Sequence, residues 1–283
     1  MRITVIGKSG QLAQSIAFVS KNYNHHIQFL GKEDLDITDT LSVESAIIEF
    51  DPEVLINCSA YTAVDAAEED ELMAETLNVK AIHVLVNVCK RHEIFLIHVS
   101  TDYVFDGKSK NPYTETDRTN PQTVYGRTKL EGENVVLKSD WPSIVIRTSW
   151  LYSPFGRNFY KTIRQKIEER SILNVVNDQI GVPTSALDLA RVLLKMAEKN
   201  AEITKPDLFH VSNFGSATWY EFAITIRDLL HSTHFINPVS SKVFITKAKR
   251  PQYSVLSTQK FEDRYGIEMR PWEEALKEVI SLS

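Results

Sequence analysis

The feature that most constrains the fold is the alternation of short apolar runs with helical patterns over the first half of the chain. The runs have strand length and are rich in β-branched residues, and the segments between them repeat apolar residues at intervals of three and four. Continuous hydrophobicity along a strand indicates burial on both faces, as in a parallel sheet that helices cover on each side. The predicted strands are ITVIG, HIQFLG, VLINCSA, IFLIHVS and SIVIRTSW.

This pattern predicts an α/β fold with a doubly wound, Rossmann-like parallel sheet over residues 1–150. From about Leu151 the alternation becomes less regular and prolines are more frequent. We expect residues 151–283 to form mainly a smaller C-terminal lobe, with some of the chain returning to the first domain. No Gly/Ser linker or charge run marks a boundary between the two parts.

Charge and composition restrict the class of ligand. The chain has 283 residues, 43% of them hydrophobic, which is enough for a sizeable core. Its formal net charge is −5 and its cations form no stripe or block, so the electrostatic footprint of a nucleic-acid-binding protein is absent. An anionic ligand would therefore have to be met by a few local cations.

The cysteines and the amino terminus indicate the compartment. Cys58 and Cys89 lie in apolar stretches without metal-ligand spacing, which favours reduced thiols over a disulfide. The chain enters its first strand without the apolar core of a signal peptide, and no later run is expected to span a membrane. We expect a cytoplasmic protein with no membrane partner.

A glycine-rich turn follows the first strand. Gly7, Gly10 and Ala13 have G-x-x-G-x-x-A spacing between this strand and the first helix. Glycine permits a tight turn and lets backbone N–H groups approach a pyrophosphate, to which the helix N-terminus adds partial positive charge. Because the motif follows a strand and opens a helix, it predicts dinucleotide binding by residues 1–150.

The end of the second strand bears on the choice of cofactor. Gly31 is followed by Lys32, with no acidic residue at the strand tip to bind a ribose 2′-hydroxyl. A lysine there can pair with a 2′-phosphate, which favours NADPH over NADH, although a solvated turn lysine explains it equally well. Asp36 and Ile37 are expected near the adenine edge.

Tyr125 and Lys129 stand four residues apart in TVYGRTKLEGE, so a helix places them on one face. A tyrosine that acts in proton transfer near neutral pH needs a neighbour that favours the phenolate, and Lys129 can be that neighbour. The fourth strand ends in Ser100, Thr101 and Asp102, at the sheet edge where open α/β folds bind ligands. A hydroxyl, a tyrosine and a lysine together can support hydride transfer to a ketone.

Six motifs together resemble one family. They are GKSGQLA, NCSAYTAVDAAE, STDYVFDG, YGRTKLEGE, RTSWLY and NDQIGVPT. The combination, which spans nearly the whole chain, is similar to the dTDP-4-dehydrorhamnose reductase family of extended short-chain dehydrogenases/reductases. The resemblance implies reduction of the C4 ketone of dTDP-4-dehydro-β-L-rhamnose to dTDP-L-rhamnose with NADPH, and with NADH as a second reductant.

The resemblance implies roles for single residues. Tyr125 would donate a proton to the C4 oxygen, Lys129 would be its electrostatic partner, and Thr101 would bind that oxygen. Ser100 competes for the last role, because adjacent strand residues face opposite ways. The implied cofactor-binding residues are Gly7, Gly10, Gln11 and Leu12 at the pyrophosphate, and Ala60, Tyr61 and Thr62 after the third strand, together with Tyr125 and Lys129.

The substrate side of the resemblance is assigned to a second set of residues. Trp150 is similar to a tryptophan that packs on the sugar in this family, and its alternative is a core tryptophan. Arg250 is expected at the diphosphate or base, and its alternative is a surface charge. The implied substrate-binding residues are Thr62, Val64, Thr101, Asp102, Tyr103, Trp150, Asn158, Gln179 and Arg250. His83 and His98, in apolar runs, are predicted to be core histidines.

One departure from the family bears on assembly. Some relatives are dimers in which interface glutamates, one of them in the first helix, hold magnesium. Gln14 and Ser15 stand in the corresponding stretch of this chain. We therefore predict no metal site and leave a homodimer open.

Two other functions are compatible with the same fold. A nucleotide-sugar epimerase or dehydratase would cycle NAD within one turnover, but dehydratases tend to place a glutamate where Tyr103 follows the Thr-Asp pair. A cofactor-binding regulatory subunit resembling that of methionine adenosyltransferase would bind NAD(P)H without turnover. Net consumption of NAD(P)H separates the reductase from both.

Overall fold

The computed structural model describes residues 1–244 and 246–283. The strands are β1 (Arg2–Ile6), β2 (His26–Leu30), β3 (Val54–Asn57), β4 (Phe95–Thr101), β5 (Ser143–Thr148), β6 (Leu151–Tyr152), β7 (Leu173–Val176), β8 (Ile180–Gly181), β9 (Thr184–Ser185), β10 (Asp207–His210), β11 (Ala217–Thr218) and β12 (Ile236–Val239). The helices are α1 (Gln11–Val19), α2 (Thr40–Ile48), α3 (Val64–Ala67), α4 (Glu71–Glu75), α5 (Ala81–Arg91), α6 (Val124–Leu137), α7 (Phe159–Glu168), α8 (Ala186–Glu198), α9 (Trp219–Leu229), α10 (Gln259–Tyr265) and α11 (Trp272–Ser281).

A six-stranded parallel sheet lies at the centre, in the order β10-β5-β4-β3-β1-β2. From β1 the chain adds β2 on one side and then β3, β4, β5 and β10 in turn on the other, so the sheet is doubly wound, and the predicted Rossmann-like α/β class is confirmed. Each of the five runs predicted from the first half overlaps one of these strands, with bounds that differ by at most a few residues. The sixth, β10, comes from the second half of the chain and pairs with β5.

Apolar side chains cover both faces of this sheet. Ile3 and Ile56 belong to a core cluster on the side of α1 and α8, whereas Leu55 and Leu96 belong to a cluster with α2 and α5. Because neighbouring strand residues point to opposite faces, this division explains why the strands are apolar without alternation.

The helical segment Glu71–Arg91 runs from α4 through a π-helical turn into α5. Its 21 residues meet the length and composition of a membrane span, contrary to the expectation from sequence. In the fold it is a core helix, since Ile82, Leu85 and Val88 pack beneath the sheet. His83 lies on its exposed face, so the prediction of a core histidine is wrong there, whereas His98 in β4 is fully buried.

The second half forms small elements around the carboxyl edge of the sheet. Three two-stranded pieces pair β11 with β8, β12 with β7 and β6 with β9. Helices α7 and α9 pack beside them, and α8 returns to pack on α1. These elements lie across from the carboxyl ends of β3 and β4.

Candidate active site

The carboxyl end of β4 supplies two of the polar groups at the centre of the site. The Thr101 hydroxyl donates to Asp102 Oδ1 at 3.0 Å and accepts from the Tyr103 backbone N–H at 3.2 Å. Both side chains are buried. Ser100 is buried as well, but its hydroxyl has no hydrogen-bond partner among the described residues.

Helix α6 carries Tyr125 and Lys129 against this strand. The helix begins at a Thr123 cap, whose hydroxyl accepts from the Gly126 N–H at 3.0 Å. A Cβ at Gly126 would collide with the Tyr103 carbonyl oxygen, and one at Gly132 would collide with that of Asn78. The two glycines therefore allow α6 to approach the backbone closely enough to bury Tyr125.

The phenol of Tyr125 is protonated at neutral pH, because its pKa is raised rather than lowered. Burial raises the pKa of its phenol above the ordinary value, and the nearby Thr101 hydroxyl opposes this shift. Its ring meets the Tyr103 ring edge-on, with 5.5 Å between centroids. Val64 and Tyr61 pack in the same cluster. Thus, of the two hydroxyls predicted from sequence, that of Thr101 is the one near enough to influence the tyrosine.

Lys129 is only 2% exposed and turns towards β4. Its Nζ donates to the Val99 carbonyl oxygen at 2.7 Å and lies 3.4 Å from His98 Nε2. Burial lowers the pKa of Lys129 to about 8, although Glu133 and Cys58 oppose this shift. The lysine is therefore a titrating group near neutral pH rather than a fixed cation.

Asp102 has the most perturbed carboxylate environment in the site. Burial raises its pKa to about 6, while the nearby Ser254 hydroxyl and the hydrogen bond from Thr101 oppose this shift. A buried carboxyl group that titrates close to neutrality is typical of functional sites.

The turn after β1 fits a dinucleotide. Gly7 has φ +102, and a Cβ there would lie 2.9 Å from the Ser59 nitrogen. The Gly10 N–H bonds back to the Gly7 carbonyl, which closes the turn just before α1. Gly7, Gly10 and the backbone of Gln11 and Leu12 would hold the pyrophosphate at the α1 N-terminus. The side-chain amide of Gln11 donates to the Leu151 carbonyl oxygen at 3.1 Å.

The tip of β2 brings together more charges than the sequence predicted. Lys32 is exposed. Lys8, from the glycine turn, lies 3.5 Å from Glu33 and 3.4 Å from Asp34. Lys32, the cation predicted from sequence, is thus accompanied by Lys8, which is already paired with Glu33 and Asp34.

The remaining predicted cofactor residues lie in loops. Asp36 accepts from the Thr38 N–H at 2.8 Å, and Ile37 packs against the core. The Tyr61 N–H donates to Asn78 Oδ1 at 2.9 Å. Ala60, Thr62 and Val64 flank this anchored position, with Thr62 exposed.

A cavity of about 920 Å³ opens beside the catalytic cluster. Six cations and two carboxylates line it, in contrast to the acidic chain as a whole; they are Lys108, Lys166, Lys242, Lys247, Lys249 and Arg250, with Asp65 and Asp106. Arg250 donates to the Tyr103 hydroxyl at 3.1 Å and to Asp65 at 2.9 Å. Since Tyr103 packs on Tyr125, Arg250 joins the cavity to the catalytic cluster.

Gln179 also lines the cavity, whereas Asn158 is absent from its walls. The Asn158 side chain caps α7 by accepting from the Lys161 N–H at 3.1 Å, and it donates to the Ser153 carbonyl at 2.9 Å. The buried Asn158 side chain therefore stabilises the start of α7, and its polar atoms are already bonded within the protein.

Trp150 is separated from the cavity by a second tryptophan, Trp219. Its ring stacks on Trp219 with 3.5 Å between centroids, and its backbone is left-handed at φ +43. Trp219 and Phe159, 4.6 Å apart between ring centroids, face the cavity. Sequence reasoning missed Trp219, because its position at the start of α9 gives no local sign of proximity to Trp150.

Comparison with known proteins gives a match over the whole length. The family model described as RmlD substrate binding domain matches residues 1–283. The chain belongs to this RmlD family. A dTDP-4-dehydrorhamnose reductase from Aggregatibacter actinomycetemcomitans is 39% identical over 98% of both chains.

Solved structures of RmlD-like reductases agree with this assignment. A dTDP-4-dehydrorhamnose reductase from Clostridium acetobutylicum is 41% identical, with TM-score 0.93 over 100% of this chain and 99% of that one. The Bacillus anthracis reductase, solved in complex with NADP, is 32% identical, with TM-score 0.95 over 100% and 99%. The fold, the glycine turn and the Tyr125–Lys129 helix of this chain thus occur within an RmlD-type reductase architecture.

Proposed function

We propose that this chain reduces the C4 ketone of dTDP-4-dehydro-β-L-rhamnose to dTDP-L-rhamnose, with NADPH as reductant. The observation that carries the proposal is a protonated, buried Tyr125 beside the Thr101 hydroxyl, next to a cation-lined cavity. The similar reductases named above support the choice of sugar.

The chain's own groups account for the proton and its placement. Bound NADPH supplies the hydride. Tyr125 gives its phenolic proton to the O4 atom as the ketone becomes an alcohol, and the Thr101 hydroxyl orients that oxygen. Lys129, buried one turn away, provides the charge that stabilises the phenolate left behind. One proton is consumed per turnover, so Tyr125 has to be reprotonated from within the site.

The cavity supplies the recognition of the nucleotide. A dTDP sugar carries two phosphates, and Arg250, with its fork of donors, suits one of them. Gln179 and the aromatic pair of Trp219 and Phe159 offer a hydrogen-bonding group and a flat apolar surface for base or sugar. Trp150 would then act by supporting Trp219 from behind.

NADPH is the preferred reductant in this proposal, and NADH the second one. Lys32 is the cation assigned to the 2′-phosphate. The Bacillus anthracis relative binds NADP, which supports the same choice. We further propose that residues 1–150 bind the dinucleotide, that residues 151–283 mainly bind the substrate, and that the enzyme acts in the cytoplasm.

The test follows reduced-nicotinamide absorbance with purified protein, NADPH or NADH, and dTDP-4-dehydrorhamnose formed in the cuvette. We expect stoichiometric consumption by the native chain. Tyr125→Phe should bind NADPH normally and lower kcat by roughly 10² to 10⁴. Cofactor binding without consumption in the native chain would instead indicate a regulatory protein, and product formation without net NADPH loss would indicate an epimerase.

A further inference from the structure

A buried chain of polar groups leads from the loop after β3 to Lys129. Asn57 and His98 are both fully buried, and the Asn57 Nδ2 lies 3.0 Å from His98 Nδ1. His98 Nε2 in turn lies 3.4 Å from Lys129 Nζ. The proposed function uses Lys129, but it assigns no task to Asn57 or His98.

The orientation of the Asn57 amide is determined by Ser59. The Ser59 backbone N–H donates to Asn57 Oδ1 at 3.0 Å, and its hydroxyl does so at 2.6 Å. A backbone N–H can only donate, so Oδ1 must face Ser59 and the NH₂ group must face His98. Flipping the amide would place two donors against each other.

The tautomer of His98 follows from this orientation. Because Nδ1 accepts from Asn57, the hydrogen of the neutral ring is on Nε2. Burial, reinforced by the charge of Lys129, holds the pKa of His98 well below its ordinary value, so the ring stays neutral. The Nε2–H therefore points towards Lys129.

An N–H donor beside Lys129 affects the two forms of the amine differently. A neutral amine can donate to the Val99 carbonyl and accept from Nε2–H with its lone pair. An ammonium has no lone pair, so it opposes the imidazole N–H with another donor. His98 therefore favours the neutral amine.

Other groups near Lys129 do not provide this effect. Glu133 on the same helix and Cys58 after β3 both favour the charged form. Glu133 is itself held by Arg147, at 2.7 Å. Tyr125 lies one turn before Lys129 on the same helix face, and the proposed function assigns Lys129 to stabilise its phenolate.

We propose that His98, held by Asn57 as the Nε2–H tautomer, is a positioning residue that favours the neutral form of the Lys129 amine. Its role in turnover rests on the proposed reductase function. A lysine poised in this way can give its ammonium proton to the Tyr125 phenolate after each hydride transfer and take up another from solvent, and it is a stronger acid for this step than a lysine of ordinary pKa.

The first test needs no activity. In full-length protein with ¹⁵N-labelled histidine, multiple-bond ¹H–¹⁵N correlations report which ring nitrogen carries the hydrogen. We expect His98 to remain the Nε2–H tautomer between about pH 6 and 9. Its signals are assigned by their loss in His98→Gln. Observation of the Nδ1–H tautomer or of a charged ring in this range would overturn the proposal.

The second test is the pH profile of kcat. Because the pKa of Tyr125 is raised and that of Lys129 is about 8, Lys129 is expected to govern the alkaline limb. His98→Phe removes the Nε2–H and should raise the midpoint pH of this limb by roughly one unit. His98→Gln, which restores an N–H donor, should move it back.

Asn57→Asp tests the tautomer argument directly. A carboxylate still accepts from Ser59 but requires a hydrogen on His98 Nδ1, so Nε2 becomes an acceptor for the ammonium. The midpoint pH of the alkaline limb should rise at least as far as in His98→Phe. The labelled ring should then show the Nδ1–H tautomer. His83→Phe, on the exposed face of α5, is the matched control and should leave the limb in place.

A merely structural role predicts a different result. His98→Phe and Asn57→Asp would then lower stability while the midpoint of the alkaline limb stayed at the native value, and this outcome would refute the proposal. If the native chain consumes no NADPH, the reductase function fails, but the tautomer measurement still decides the arrangement of Asn57 and His98.

Discussion

The wall formed by β4 and α6 is buried and bonded to its neighbours, whereas the segment 246–252, here called the strap, is half exposed and held by charges. In the wall, Lys129 and Asp102 are shifted in pKa because water is excluded. In the strap, Lys247 pairs with Glu69 and Arg250 pairs with Asp65 at 2.9 Å.

The difference separates chemistry from recognition. Exclusion of water strengthens the effect of each neighbour on a titrating group, which suits proton transfer. Exposed ion pairs contribute little to stability and are exchanged easily, so a phosphate can replace a carboxylate at Arg250. We therefore expect substitutions in the wall to alter stability and kcat, and substitutions in the strap to alter KM.

The largest effect on stability is expected from Asp102→Asn. Burial raises the pKa of Asp102 to about 6, so the folded protein holds this proton to higher pH than the unfolded chain does. The resulting stability is present below about pH 4 and is lost as pH rises through about 6. Asparagine cannot ionise, so the variant should exceed the native chain by about 2–3 kcal/mol above pH 7.

Urea unfolding of both proteins at a series of pH values measures this difference. The advantage of Asp102→Asn should shrink towards acid pH, because the native carboxyl is then protonated too. A difference that does not vary with pH would contradict the burial of a titrating Asp102.

Gly126→Ala tests the close packing of the wall. The added methyl group meets the Tyr103 carbonyl, so α6 has to shift. We expect a loss of about 2 kcal/mol in unfolding free energy and a lower kcat, because Tyr125 moves with the helix. Gly266→Ala, with nothing within 4 Å but φ +66, should lose roughly 1 kcal/mol and keep its kcat.

Arg250→Gln tests the strap. Loss of the guanidinium should raise KM for the dTDP sugar by roughly 10- to 50-fold and change kcat less, because the proposed contact of Arg250 is with the nucleotide. Arg227→Gln, in α9 and paired with Asp228, is the control because it is not in the cavity wall. Equal KM values in the two variants would remove Arg250 from the phosphate site.

The smallest effect is expected at the cofactor end, outside both regions. Lys32→Ala should raise KM for NADPH by roughly 3- to 10-fold and leave KM for NADH unchanged, since only NADPH carries a 2′-phosphate. Lys8→Ala should have a smaller effect, because Glu33 and Asp34 already compensate that charge. Parallel changes for both cofactors would show that Lys32 does not distinguish them.

Local patterns were sufficient for much of the wall. The spacing of Tyr125 and Lys129 predicted a shared helix face, and the α-helix is present at Val124–Leu137. The Asp70 cap of α4 could be recognised in the same way, because a cap depends on neighbours within one turn. The fold class followed from the buried strands.

Other features depend on residues far apart in sequence. The strand β10 lies in an irregular stretch and completes the sheet only because β5 offers it an edge. The pairing of Trp150 with Trp219 and of Arg250 with Tyr103 joins segments from different parts of the chain. Hydrophobic periodicity and motif spacing are local signals, so they cannot predict contacts between such distant residues.

The sequence by itself determined five of the six strands, the glycine turn after β1 and the shared helix face of Tyr125 and Lys129, because these depend on periodicity and on short-range geometry. The tertiary structure alone decided their protonation. Burial lowers the pKa of Lys129 to about 8 and sets the His98 ring against it. Burial and donor orientation arise only when β3, β4 and α6 pack together, so a linear pattern of residues cannot specify them.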